Sequence, residues 1–363
     1  MSSVKRKSNF EWLRVLAMGM IITLHYLFKG GIIVNPTNDF SGKSVVLWLL
    51  ASFCICAVNT YILISGYFLV ETGFKLNRLI GLVIQVLEYS MIILVVMMIL
   101  GMVSLSDLSL YSLVGYLFPI GTEEYWFVTA YFAMYLMAPV LAKGVKALTQ
   151  KELQILIVVL LSLTSIEKSI LPMLLPGDAY GYDFIWFMTL FIVAAYIRLY
   201  GIRFLEGHRG RSVLVYVAAS VFIWAAGLLF SYAGYSTGID TLSHYADIVF
   251  HYNYLPVLVS SIGLFYIFKN SVFNEEGIPA GVSRQLGRLT FGVYLLHEHP
   301  EVRYMWPKWL GVSTDRGLAA TVLHWLMCLV VVYAAGLLAE YVRSLIHDKI
   351  SVRLTVNDER TKQ

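Results

Sequence analysis

Residues 9–28 read NFEWLRVLAMGMIITLHYLF, and within them only Glu11, Arg14 and His25 are acidic or basic. A helix needs about 20 mostly apolar residues to cross the hydrocarbon of a bilayer, so the stretch predicts a membrane span that carries an arginine and a histidine. The preceding MSSVKRKS is basic, as at the start of a signal peptide. No small-residue cleavage site follows, and Glu11 and Arg14 interrupt the apolar run, so the segment is expected to be retained as the first span.

The rest of the chain repeats this signal. Of its 363 residues, 58% are apolar and 14% charged, and the mean hydropathy is +0.72, far from the balance of a soluble globular domain. Backbone groups in hydrocarbon must pair internally, which leaves helices or a closed barrel. The long continuous apolar runs exclude alternating barrel strands. The expected fold is an all-α polytopic membrane protein of about ten transmembrane helices. They fall near residues 10–28, 45–70, 79–103, 124–142, 153–171, 183–200, 213–235, 248–268, 287–306 and 317–345. The longest polar stretch, residues 269–288, is too short for a second domain, so one membrane domain is expected over residues 1–363, with its core at 9–345.

The net charge of +4 gives no ground for a nucleic-acid partner, but its placement is informative. With the basic start inside, 20 of the 27 lysines and arginines fall in inside segments and six in outside ones. That asymmetry predicts a multi-pass protein of the cell membrane with both termini cytoplasmic. Cys54, Cys56 and Cys328 all lie in apolar runs. They show neither metal-ligand spacing nor a disulfide framework and are expected to be buried packing residues, with no metal site.

At 100° per residue, Arg14 and His25 share one helix face about 16 Å apart, and Glu11 falls close to the same line, where it can neutralise the guanidinium. Ionisable residues in a span cost at least a few kcal/mol and face a protein interior or a water-filled cavity. Two readings stand for each. Arg14 either snorkels to the inner headgroups or belongs to a site, and His25 is either a hydrogen bonder near the outer interface or a catalytic group. His297 lies about 13 Å past the cytoplasmic start of its span, well within the bilayer. Its neighbours Glu298 and His299 mark either a polar cavity open to the outside or a helix end at the external interface.

Ser65, Gly66 and Tyr67 end the second span, where small residues permit close helix approach. Lys75 and Arg78 follow, either as ordinary positive-inside residues or as holders of an anionic ligand. Outside, Glu123 and Glu124 precede Tyr125 and Trp126, which read as an aromatic belt or as a platform for stacking a glycan. No P-loop, dinucleotide glycine fingerprint, HExxH or nucleophile elbow occurs.

An arginine, ten residues and a histidine in the first of about ten spans is a pattern by which the chain resembles the acyltransferase 3 family of integral membrane acyltransferases. Residues 65–67 (SGY) with the basic turn at Arg78, residues 125–139 (YWFVTAYFAMYLMAP) and residues 287–297 (GRLTFGVYLLH) resemble further family motifs, in the same order. Thr290 departs from the serine usual in the last of these and keeps a hydroxyl. The likeness extends from about residue 9 to residue 345.

The resemblance implies transfer of an acyl group, most often acetyl from cytoplasmic acetyl-CoA, to a hydroxyl of a cell-envelope glycan or lipid-linked saccharide. Succinyl fits equally. It implies His25 as general base or acyl acceptor, with Arg14 and His297 completing the catalytic set. Arg14, Ser65, Lys75, Arg78 and Tyr294 are expected at the coenzyme, and Glu123, Glu124, Tyr125 and Trp126 at the acceptor. No hydrolase-like domain is expected after the last span, so the membrane domain or a separate partner completes the transfer. A secondary transporter or flippase for a lipid-linked sugar is the alternative, since many helices with buried polar residues also describe transporters. No half-to-half similarity supports it. A sensor that keeps the fold without catalysis is disfavoured by the presence of Arg14, His25 and His297 together.

Overall fold

The computed structural model describes residues 7–171 and 178–361, so Lys5, Arg6 and Lys362 of the charge count lie outside the described residues. Among the described residues every regular element is helical. The first half contains α1 (Ser8–Phe28), α2 (Gly42–Cys54), α3 (Ala57–Thr72), α4 (Leu76–Ile99), α5 (Leu110–Leu117), α6 (Trp126–Ala147), α7 (Gln150–Leu161) and α8 (Glu167–Ile170). The second contains α9 (Phe184–Leu199), α10 (Arg209–Thr237), α11 (Asp240–Ile248), α12 (Leu255–Lys269), α13 (Ile278–His297), α14 (Trp306–Trp309) and α15 (Leu318–Thr361).

Seven helical segments of the described residues are long and apolar enough to cross a membrane. They are α1, the α2–α3 pair, α4, α6, the α7–α8 pair, α10 and Leu318–His347 of α15. Two more, α9 and α12, are apolar but shorter. Each of the ten expected spans has a helix, with shifted bounds in three cases. The expected span at 45–70 is broken between Cys54 and Ala57. The span expected at 248–268 starts only at Leu255, where Pro256 occupies the first turn; proline fits there because its missing N–H has no helical partner. Residues 249–254 are thereby freed to form turns. The span expected at 287–306 is instead α13, which starts nine residues earlier beside Pro279 and stops at His297, three residues before Pro300.

α1 and the α2–α3 pair form the interior, with 67% of each span buried, against 17% for α15. α1 packs on α2, α3, α12, α13 and α15. The outward faces of α4, α10 and α15 carry exposed Ile92, Val95, Leu214, Phe222, Leu229, Leu323, Val330 and Leu338. Such surfaces suit hydrocarbon, in which these side chains are solvated as well as in a core. Two glycines set the close contacts. A Cβ on Gly66 would come within 2.9 Å of Ala194 and 3.1 Å of the Phe191 backbone, so α3 and α9 meet at van der Waals distance. Gly336 plays the same part between α15 and Val293 of α13. The three cysteines are buried and unpaired.

Candidate active site

α1 and α13 lie side by side and bring together two histidines 272 residues apart in sequence. His297 Nδ1 is 2.5 Å from the Val293 carbonyl one turn earlier. A carbonyl only accepts, so Nδ1 carries the proton and Nε2 the lone pair. That Nε2 lies 3.0 Å from His25 Nδ1, and Glu298 Oε1 lies 3.2 Å from the same nitrogen. Two acceptors converge on His25 Nδ1, so it must donate. The lone pair of His25 therefore sits on Nε2. The Lys29 ammonium also contacts Glu298 Oε1, which lets a carboxylate persist in a buried place.

The ligand-type atoms of His25, His297 and Glu298 lie within 4.8 Å of one another, a spacing that would also suit one metal ion. In this structure Glu298 Oε1 contacts the Lys29 ammonium and His297 Nε2 lies against His25 Nδ1.

His25 stands where two spaces meet. A cavity of about 450 Å³, the outer one in the orientation expected from the charge pattern, is lined by His25, Lys29, Asn35, Trp126, Tyr182, Asp247 and Tyr252, among others. A narrow space of about 60 Å³ continues inward between Met18, Tyr61, Phe127 and Tyr294. His25, Leu24, Trp126 and Tyr252 border both. The Tyr61 hydroxyl donates to the Arg14 carbonyl at 2.7 Å, which puts the inner part of the narrow space beside Arg14. Arg14 itself is ion-paired with Glu11, as the helix spacing anticipated.

From Phe127 a ladder of stacked rings, spaced four apart on α6, leads through Tyr131 (6.2 Å) to Tyr135 (a further 6.1 Å). It covers about 12 Å along the helix. The Tyr135 hydroxyl accepts the Lys75 N–H at 3.0 Å, at the turn where the side chains of Lys75 and Arg78 are exposed. Ser65 is half-buried on α3.

Tyr294 sits in the wall of the narrow space, its ring 6.2 Å from that of His297. Its hydroxyl proton is buried and finds no acceptor among the described residues. A buried hydroxyl without an acceptor is unusual and leaves Tyr294 with a proton to offer a ligand or a water.

Of the four residues expected at the acceptor, only Trp126 lines the outer cavity. Tyr125 is buried and donates to the Leu295 carbonyl at 3.2 Å. Glu124 packs over Gly115, and Glu123 is exposed, with a left-handed backbone of φ 58°. The aromatic wall is completed by residues the sequence did not single out. Tyr182 lies 4.4 Å from Trp126, and Tyr252 stacks on Trp126 at 5.6 Å. Glu298 stood out only as a polar neighbour of His297. Asp247 and His251 carry a legible signal, being four apart at a helix end.

The comparisons with known proteins give the family. A family model for an acyltransferase domain matches residues 7–341. The chain belongs to the acyltransferase 3 family. No curated protein and no solved structure matches it. The matched region of this membrane acyltransferase contains Arg14, His25, the ring ladder, Tyr294, His297 and Glu298.

Proposed function

We propose that this acyltransferase moves an acyl group, in the first instance acetyl from acetyl-CoA, to a hydroxyl of a cell-envelope glycan or lipid-linked sugar, with His25 as general base. The observation that carries the proposal is the tautomer of His25. Its unprotonated Nε2 belongs to the one imidazole among the four side chains that border both the outer cavity and the narrow inner space.

The acceptor sits in the outer cavity against Trp126, and the thioester reaches His25 from the inner side along the ladder of α6. The anionic nucleotide end of the coenzyme stays near Lys75 and Arg78, where guanidinium and ammonium groups suit phosphates. His25 Nε2 takes the proton of the acceptor hydroxyl as its oxygen attacks the thioester carbon. The Tyr294 hydroxyl donates to the carbonyl oxygen as charge develops there. The C–S bond then breaks, the C–O ester bond remains, and His25 returns the proton to the coenzyme thiolate. Glu298 steadies the transient imidazolium through Nδ1, as a carboxylate does in other base pairs of this kind. His297 holds His25 in the productive ring orientation, and Arg14, through Glu11 and Tyr61, shapes the inner entrance.

This route implies a donor at the cytoplasmic face and an acceptor at the outer face of the cell membrane. Ten crossings with both termini cytoplasmic fit it: helices stand at all ten expected positions, and basic residues favour the inner segments. Family membership weighs against the transporter reading.

The experiment is acetyl analysis of envelope polysaccharide by mass spectrometry from cells with the wild type, His25→Ala or no gene, at matched membrane levels. Acetyl present only with the wild type is the expected result. Normal acetylation by His25→Ala would remove the base assignment.

A further inference from the structure

The outer cavity that His25 borders is also lined by members of a chain of polar groups to which acyl transfer gives no task. Lys168 is only 3% exposed and forms an ion pair with Asp178 at 3.0 Å. Its Nζ also lies 3.4 Å from His251 Nδ1. An ammonium has donors only, so His251 Nδ1 presents its lone pair and the ring is neutral. His251 Nε2–H therefore donates to Asp247 Oδ2 at 3.1 Å. The Asn35 amide approaches Asp247 Oδ1 and the Asp247 carbonyl, each at 3.3 Å.

The Asp247 carboxylate is thus fixed by two donors while 48% of its side chain stays exposed on the cavity wall. A carboxylate offers about four acceptor sites, so two remain for a ligand. Among the described residues no lysine or arginine pairs with it, and Lys29, the cation on the same wall, is committed to Glu298. The same cavity is lined by the cluster of Trp126, Tyr182 and Tyr252.

We infer that Asp247 reads the acceptor and selects an uncharged pyranose that presents two neighbouring hydroxyls. The flat C–H face of such a ring stacks on the aromatic cluster, and two adjacent O–H groups donate to the two carboxylate oxygens in charge-assisted bonds. A sugar that carries its own carboxylate or phosphate meets the charge of Asp247 and is excluded, which is selection by repulsion as well as by fit. His251, Asn35 and the buried Lys168 are positioning residues: His251 and Asn35 hold the carboxylate, and Lys168 holds the His251 ring. The inference rests on the acyl-transfer reading only in naming the bound sugar the acceptor.

The test measures dissociation constants by saturation-transfer NMR on the detergent-purified full chain. The probes are the methyl pyranosides of glucose, galactose and mannose, their uronate counterparts and methyl glucosaminide. The wild type is expected to bind at least one neutral glycoside about tenfold or more tighter than its uronate. Asp247→Asn is expected to bring that ratio to within about twofold, and His251→Gln to weaken the neutral sugar while keeping the preference. The ratio is taken within one variant, so partial loss of folded protein does not move it.

Equal binding of neutral sugar and uronate by the wild type, an unchanged ratio in Asp247→Asn, preference for the amino sugar, or binding of none of the probes would each overturn the inference. Acetyl transfer is scored separately with His25→Ala. Preference intact with no transfer by the wild type defeats the acyl-transfer reading alone. Transfer intact with no preference defeats the role of Asp247 alone.

Discussion

A histidine serves as a base only when the nitrogen that faces the substrate carries the lone pair, and in His25 that choice is made by other residues. The Val293 carbonyl fixes His297, His297 and Glu298 together fix His25 Nδ1 as a donor, and Nε2 is left free. Glu298→Gln keeps an acceptor at Nδ1 but removes the charge that offsets the imidazolium. The expected outcome is a fall in kcat of about 10²-fold or more with little change in KM for acetyl-CoA, read by steady-state transfer assays. A variant as fast as the wild type would sink the dyad. The same hydrogen bonds bear on metals. With Lys29 on Glu298, soaking in EDTA followed by dialysis should leave transfer within about twofold of untreated protein. A loss restored by added zinc would instead make His25, His297 and Glu298 a ligand set.

Some helices in this protein are marked by capped ends as well as by apolar runs. The capping box of Thr149 and Glu152 starts α7, and the Asp183 side chain accepts from the Trp186 N–H at the start of α9. Once formed, these helices must approach closely, because in hydrocarbon they are held by packing and polar contacts rather than by the exclusion of water. Gly66 is one such place, since any Cβ meets Ala194 and the Phe191 backbone. Gly66→Val should therefore lower stability by about 1–3 kcal/mol, seen as a lower melting temperature in detergent. Gly81 of α4 has nothing within 4 Å of its would-be Cβ, and Gly81→Ala should change stability by no more than about 0.5 kcal/mol. Equal effects at the two positions would refute the packing argument.

For the whole molecule, the proposed reaction requires that the two faces of the membrane be chemically distinct. The native cysteines are buried, so single cysteines placed at exposed sites report sidedness with little background. In sealed cells, Glu123→Cys should react with a membrane-impermeant maleimide, while Lys75→Cys should react only after the membrane is opened. Labelling of both in sealed cells would break the assigned orientation and, with it, the route from an inner donor to an outer acceptor.

The sequence by itself determined what depends on local or additive physics. Hydropathy made the chain a helical membrane protein, helix periodicity placed Arg14, Glu11 and His25 on one stripe, and motif order gave the family. It also singled out Tyr294 and His297 on α13. Tertiary structure decided the rest, because the pairing of His25 with His297 and Glu298 joins residues some 270 positions apart and no local pattern encodes it. The proposed acceptor wall is the plainest case. Residues 249–254 read as part of an apolar span, yet the late start of α12 at Pro256 turns them into a loop. His251 and Tyr252 are thereby set against Trp126, Tyr180 and Tyr182, while the charged neighbours Glu123 and Glu124 are left off the cavity wall. Composition assigns a residue to the membrane; only the packing of helices assigns it to a face, and catalysis here depends on the face.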